Sequence, residues 1–225
     1  MRRPDQAVRA ALDAWAVVMP TVCSGCDAPD RALCPACRQA LLPAVHSSER
    51  LGVSMWSALD YTGVPRRVLG AFKDGGRTDA AGALAVPLRA AIVAALAAQP
   101  EPGIHLVTIP SSRGAWRSRG YHPVELLLRR AGLRASGVLR PSAETVDQVG
   151  LGIEARRRNR AGSLTARRPL GGFRCLIVDD ILTTGATVLE ARRAVLDAGG
   201  QVVGVATVAE TRRRHPVTGG SSETR

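Results

Sequence analysis

One short stretch of this chain carries the residue types and spacing of a ligand site. It reads Val178-Asp179-Asp180-Ile181-Leu182-Thr183-Thr184-Gly185-Ala186-Thr187-Val188. An apolar run, Leu176-Ile177-Val178, ends in two adjacent carboxylates, and small or hydroxylated residues then lead into a helical pattern. That pattern predicts a strand end and a helix start within one short turn. Free backbone N–H groups and the helix dipole favour an anion at such a turn. Carboxylates beside an anion cradle suit a ligand that is a phosphate at one point and a polyol or metal complex at another. A phosphorylated sugar has that form. Read as structure alone, the threonines would merely cap a helix, but two adjacent like charges need a partner.

Four cysteines carry a second chemistry. Cys23-Ser24-Gly25-Cys26 and Cys34-Pro35-Ala36-Cys37 are two C-x-x-C pairs with a short spacer. This is the ligand count and spacing of a structural Cys₄ zinc site. The hairpin between the pairs has no room for a core of its own, so metal would supply its folding energy. A redox dithiol is the rival reading, although one C-x-x-C suffices for that. Cys175 stands in an apolar run and reads as a buried strand residue.

The cations are unevenly spread. The net charge is +12, and of 31 basic residues Lys73 alone is a lysine. A compact, flexible ammonium kept where all other cations are arginine points to a position that needs one. Residues 113–174 hold 14 arginines against Glu125, Glu144, Asp147 and Glu154. Such a surplus favours a polyanionic ligand or nucleic acid, or is simply a solvated basic face.

The elements that would position these groups alternate between strand and helix. Strands are expected at residues 53–61, 104–109, near 138, 173–178 and 202–208. Helices are expected at 64–74, from Thr78 as cap to about 98 with a kink at Pro87, at 123–131, 154–160 and 188–198. Residues 111–120 read as a loop carrying Arg113, Arg117 and Arg119. Alternation of this kind predicts an α/β fold, a parallel sheet flanked by helices. Three parts follow: an N-terminal helix and Cys₄ knuckle over 1–45, an α/β domain over 50–211, and a disordered polar tail over 212–225. Gly150-Leu151-Gly152-Ile153-Glu154-Ala155 fits a dinucleotide fingerprint, but no strand precedes it and arginines follow. Hydrophobic residues are 45% of the chain and aromatics 3%, so the core is aliphatic. No apolar run looks long enough to span a bilayer, so a cytoplasmic protein without membrane insertion is expected.

The stretch from Val178 to Val188 resembles the phosphoribosyl pyrophosphate (PRPP) signature of type I phosphoribosyltransferases. The resemblance implies that Asp179 and Asp180 hold the ribose hydroxyls. It also implies that Thr183, Thr184, Gly185, Ala186 and Thr187 wrap the 5-phosphate. The wider layout resembles the ComF family, a branch of that fold with an N-terminal zinc knuckle. The resemblance rests on Cys23 to Cys37, on Phe72-Lys73-Asp74-Gly75, and on Ile109-Pro110 followed by Arg113 and Arg119-Gly120-Tyr121. It rests also on Gln148-x-x-Leu151 with Arg156-Arg157-x-Asn159. It departs at Tyr121 and His122, where the family carries Phe and Asn. It implies that Lys73 and Arg113 neutralise the pyrophosphate, with Mg²⁺ bridging it to the ribose, and that residues 148–159 cover the sugar. The reaction would be displacement at the sugar C1, a glycosyltransferase chemistry. ComF proteins are associated with DNA uptake and competence. The alternative expectation is therefore a non-catalytic accessory protein that binds single-stranded DNA or other competence proteins.

Overall fold

The computed structural model describes residues 21–29, 31–50, 52–111, 113–142 and 162–211. Five strands form the central sheet. These are β1 (His46–Arg50), β2 (Val53–Asp60), β3 (Ile104–Thr108) and two later strands. Between the early and late strands lies a small antiparallel pair, β4 (Leu139–Pro141) and β5 (Leu164–Ala166). The late strands are β6 (Arg174–Leu182) and β7 (Gln201–Glu210), and the sheet order is β1-β2-β7-β6-β3. All neighbours are parallel except β1 and β2. The fold is α/β: a mostly parallel sheet with helices on both faces and the four-cysteine knuckle at its N-terminal side.

The central strand β6 is apolar on both faces because both are covered. Leu176 and Val178 belong to a buried cluster with Leu69 and Phe72 of α2 (Gly63–Lys73), Leu84 and Leu88 of α3 (Ala81–Ala97), and Leu127 of α5 (Pro123–Arg130). Cys175 and Ile177, alternating with them, pack with Val188, Ala191 and Val195 of α6 (Ala186–Asp197). Period-2 alternation thus divides one strand between two cores. Truncating a residue such as Leu176, which is fully buried, to alanine would cost about 2–5 kcal/mol. The β4–β5 pair is tied to α6 by Glu190, whose Oε1 accepts from Leu164 N at 2.9 Å.

The knuckle is not a separate appendage. Cys23, Leu33, Cys34, Cys37 and Leu41 share the buried cluster of α2 and α3. The short helix α1 (Pro35–Gln39) starts at Cys34, and Arg67 Nε of α2 donates to Gly25 O.

Several expectations need correction. β6 does not stop before the acids but runs through them to Leu182, because its ladder to β7 continues to Leu182–Glu210. Residues 113–119, expected as a loop, form the helix α4 (Arg113–Arg119). Thr78 opens a 3₁₀ turn (Thr78–Ala80) instead of capping α3, whose N-cap is Ala80, with no side-chain bond. Pro87 sits inside α3, buried, with the helix continuing past it. The segment Thr78–Ala97 is long and apolar enough, by length and composition, to cross a membrane, contrary to the expectation that no run is. Half of that window is buried inside the molecule, and α3 packs on β2, β7 and α5. The strand β1 was not expected. The N-terminal helix, the helix at 154–160, the fingerprint-like residues 150–155, the segment 148–159 and the tail from 212 lie outside the described residues.

Candidate functional site

Parallel α/β sheets open a crevice at the C-terminal ends of their strands. Here a cleft of about 480 Å³ lies there, lined by Lys73, Thr108, Asp179, Asp180, Thr183 and Thr187 among others. Residues far apart in the chain meet in it. The Lys73 ammonium, at the last turn of α2, contacts both oxygens of Asp180 at 2.8 Å. Asp180 is 3% exposed and also accepts from Ile181 N at 2.8 Å, so the buried carboxylate is fully partnered. Burial works against the ammonium, but the Asp180 charge outweighs it and the Lys73 pKa is raised.

Asp179 is less enclosed and accepts from Asp180 N at 2.9 Å. Burial, and then the neighbouring Asp180 charge, push its carboxyl up to about 7. The two acids therefore differ: one is locked to a lysine, and the other is poised to exchange a proton near neutrality.

The turn after β6 leads directly into the N-terminus of α6, where an anion could be held. Gly185 adopts φ 78, which a side chain would resist, and as the N-cap of α6 it offers no side-chain bond of its own. Thr183 and Thr187 line the cleft, with Thr184, Gly185 and Ala186 between them in the same turn. Ala186 N donates to Thr184 Oγ1 at 3.4 Å. Arg113 opens α4, and its side chain lies outside the described residues. Arg119, on the last turn of the same helix, lines the cleft and pairs with Asp74 at 3.2 Å.

Other participants were not singled out from the sequence. Glu210, 2% exposed at the end of β7, binds His46 Nε2 at 2.8 Å, Ser48 Oγ at 3.3 Å and Arg50 at 3.3 Å. Strand alternation sends residues 46, 48 and 50 to one side, toward that carboxylate. Arg50 also donates to Thr183 O at 3.5 Å and Thr211 O at 3.1 Å, so β1 braces the cradle from outside. Tyr61, His122 and Glu125 line the cleft too. A polar strand such as His46–Arg50 has no apolar period to reveal it, whereas Asp74 and His122 adjoin motifs already noted.

The four knuckle sulfurs lie within 4.8 Å of one another, and they are positioned to bind a metal ion. A thiolate tetrahedron with metal–sulfur distances of about 2.3 Å has edges of about 3.8 Å, and Cys26 Sγ stands 3.6 Å from Cys34 Sγ. Backbone N–H groups aim at the sulfurs: Gly25 N and Cys34 N reach Cys23 Sγ at 3.4 and 3.3 Å, and Cys37 N reaches Cys34 Sγ at 3.4 Å. Burial opposes the Cys23 thiolate, but those N–H groups outweigh it and lower its thiol, while burial and the neighbouring sulfurs push the Cys37 thiol up. A Cβ on Gly25 would stand 2.6 Å from Cys37 Sγ, so only glycine fits the turn. The donor set and its hydrogen bonds suit a metal thiolate. Cys175 is remote from them, buried and pushed by burial up to about 12, which makes it inert.

A phosphoribosyl transferase domain matches residues 121–218. The DNA utilization protein YhgH of Escherichia coli K12 is 30% identical over 215 residues, which is 87% of this chain and 90% of that protein. The orotate phosphoribosyltransferase of Mycobacterium leprae is 61% identical over 41 residues, 18% of this chain and 23% of that one. Among solved structures an adenine phosphoribosyltransferase matches at 19% identity and a TM-score of 0.37, over 77% of this chain and 89% of that one. The kinship with YhgH covers most of both proteins, and on that ground the chain belongs to the ComF family of phosphoribosyltransferase-type proteins.

Proposed function

We propose that the cleft binds PRPP or a related ribose phosphate, and that the chain transfers its phosphoribosyl group. The observation that carries this reading is the meeting of Lys73 with Asp180 at 2.8 Å beside the Thr183–Thr187 turn. A cation, two acids and a phosphate cradle in one cleft match the three chemical faces of PRPP: pyrophosphate, ribose hydroxyls and 5-phosphate. Asp179 and Asp180 would accept from the ribose hydroxyls, and the N–H groups at the start of α6 would take the 5-phosphate. Lys73 would leave Asp180 to meet the pyrophosphate, with Arg113, at the start of α4, as the companion that the family resemblance implies. If Mg²⁺ enters with PRPP, Asp179 and Asp180 are the residues that would lie beside it, and it would supply charge neutralisation to the pyrophosphate. Transfer would break the C1–O bond to pyrophosphate and join C1 to an acceptor nucleophile. The charge on the departing pyrophosphate would be met by Lys73.

Zinc is the metal we assign to Cys23, Cys26, Cys34 and Cys37, in a structural role. Four thiolates close the coordination shell and leave no open position for catalysis. The knuckle would then act on the cleft indirectly, through α2. Val64 and Arg67 of that helix touch Gly25, and the same helix ends in Lys73.

The name DNA utilization protein borne by the relatives supports a second reading, a role in handling nucleic acid, and the arginine surplus agrees with it. Phosphorus-31 NMR of PRPP with Mg²⁺ and added protein separates the readings. Broadening of the 5-phosphate and pyrophosphate resonances, lost in Asp180→Asn, supports the cleft assignment. Resonances unchanged at millimolar PRPP would refute it. A pyrophosphate-release screen across nucleobases would then identify an acceptor.

A further inference from the structure

The residues on either side of Lys73 are gripped by the residues on either side of Gly120. Tyr121 Oη donates to Phe72 O, and the Arg119 guanidinium donates to Asp74 Oδ1 at 3.2 Å. Gly120 stands between the two grips. Its φ of 74 is left-handed, and its N–H donates to Trp116 O at 2.7 Å, so it ends α4 and turns the chain back. The segment Arg119-Gly120-Tyr121 thus frames the segment Phe72-Lys73-Asp74. The middle residue of the framed segment is the lysine that reaches Asp180.

The two grips differ in kind. Asp74 is exposed, so water screens its ion pair with Arg119. The other grip is sheltered. Phe72 is fully buried, Tyr121 is half-buried, and their rings lie 5.7 Å apart at a tilt of 49°. Burial raises the Tyr121 phenol above its ordinary value, so the hydroxyl keeps the proton that it donates. The bond also completes a helix end. The last carbonyls of an α-helix have no partner within it. In α2 those of Gly70 and Ala71 are met locally, by Asp74 N at 2.8 Å and Gly75 N at 3.0 Å. The Phe72 carbonyl is met by a hydroxyl 49 residues away. That bond ties the end of α2 to the wall of the cleft formed by His122 and Pro123.

We propose that Tyr121 is a positioning residue for Lys73. Its hydroxyl fixes the last turn of α2, so that the ammonium bears on Asp180 in the free protein and on the pyrophosphate of a bound ligand. Helix ends fray, and a lysine carries its charge on a flexible four-carbon stem. An ammonium that exchanges one partner for another has only its backbone to keep it in place between them. Holding that backbone removes an ordering cost from ligand binding. Tyr121 does not itself line the cleft, and it acts through Lys73 alone. The part of the proposal that concerns the pyrophosphate rests on the reading of the cleft as a PRPP site. The part that concerns Asp180 does not.

The chain supplies its own reporter. Lys73 is its single lysine, so labelling with carbon-13 and nitrogen-15 lysine gives one side-chain ammonium signal in the NMR spectrum of the full chain. Tyr121→Phe removes the hydroxyl and keeps the ring. In the ligand-free protein it is expected to shift that signal and to speed exchange of the ammonium protons with water about threefold or more, as the bond to Asp180 loosens. With PRPP and Mg²⁺, its dissociation constant is expected to rise about threefold to tenfold. Val195→Ala, in the buried cluster that packs α6 on the sheet, is the control. It is expected to lower the melting temperature at least as much as Tyr121→Phe does and to leave the Lys73 signal as in wild type. The proposal is overturned if Tyr121→Phe leaves the signal and its exchange unchanged. It is overturned too if Val195→Ala alters them equally, since the effect is then general loosening. A wild type that binds PRPP no better than Tyr121→Phe, whatever the signal does, equally overturns it. A wild type that binds no PRPP refutes the reading of the cleft instead, and the Lys73 signal still decides whether Tyr121 places the lysine.

Discussion

The knuckle and the cleft are both polar sites resting on one buried cluster, yet they are assembled in opposite ways. The knuckle is local: Cys34 N reaches Cys23 Sγ across 11 residues of chain, and the donors that tune the sulfurs are neighbours in sequence. The cleft is a meeting of distant segments. Lys73 and Asp180 are 107 residues apart, and the His46–Glu210 contact that braces the cradle spans 164. A local site with little core of its own depends on what it binds, whereas a long-range site depends on the sheet that brings its parts together. The two are joined through α2, which rests on Gly25 near its start and presents Lys73 at its end. Metal in the first site should therefore be felt in the second.

The largest effect should come from removing the knuckle's metal. Chelation, or Cys37→Ser, is expected to release one zinc per chain and to lower the melting temperature by about 10 °C or more. Metal analysis with calorimetry reads both. An unchanged melting point would show that the knuckle is self-supporting and would break the contrast. Next comes Lys73→Met. It leaves the buried Asp180 carboxylate without its cation, and with Lys73 about a third exposed the cost should be about 1–3 kcal/mol in urea unfolding. Lys73→Met/Asp180→Asn should recover part of that loss but not ligand binding, because it removes the charge left unpaired.

Asp179 gives a smaller, pH-dependent effect. Its carboxyl is raised by burial from 3.8 to about 7, so the folded state holds its proton more tightly than the unfolded state does. Its contribution is fully present below about pH 4 and is lost as pH rises through about 7. The melting temperature of wild type relative to Asp179→Asn should therefore fall by roughly 4–8 °C between pH 4 and pH 8. A flat difference would mean that Asp179 is solvated like a surface acid. The smallest effect is expected for Arg119→Ala. Its partner Asp74 is 73% exposed, so urea unfolding should change by less than about 0.5 kcal/mol.

The same contrast governs what the sequence made legible. The cysteine pairs and the Asp179–Thr187 stretch could be read directly, because their chemistry is written in adjacent residues. Lys73 stood out as the single lysine and through the Phe72–Gly75 resemblance, but its partner could not be named, since nothing local in residues 70–76 specifies Asp180. The strand β1 escaped because His-Ser-Ser-Glu-Arg has no apolar face. It forms by pairing with β2 and by the bonds of its alternate side chains to Glu210. The helix α4 escaped for a related reason: Arg-Gly-Ala-Trp-Arg-Ser-Arg carries no helical apolar stripe, and Trp116 is 47% exposed. The end of β6 was placed too early because two acids looked like a turn. The ladder to β7 and the Lys73 ammonium hold them in extended backbone instead. Tertiary partners overrode local preference at each of these places.

The central claim is that Lys73, Asp179, Asp180 and the Thr183–Thr187 turn form one ribose-phosphate site. Isothermal titration of PRPP with Mg²⁺ into wild type and into Asp179→Asn/Asp180→Asn tests it most directly. Saturable heat with one site per chain in wild type, abolished or weakened at least about tenfold in the folded variant, is the predicted result. No heat from wild type at millimolar PRPP, or equal heat from both proteins, would contradict it.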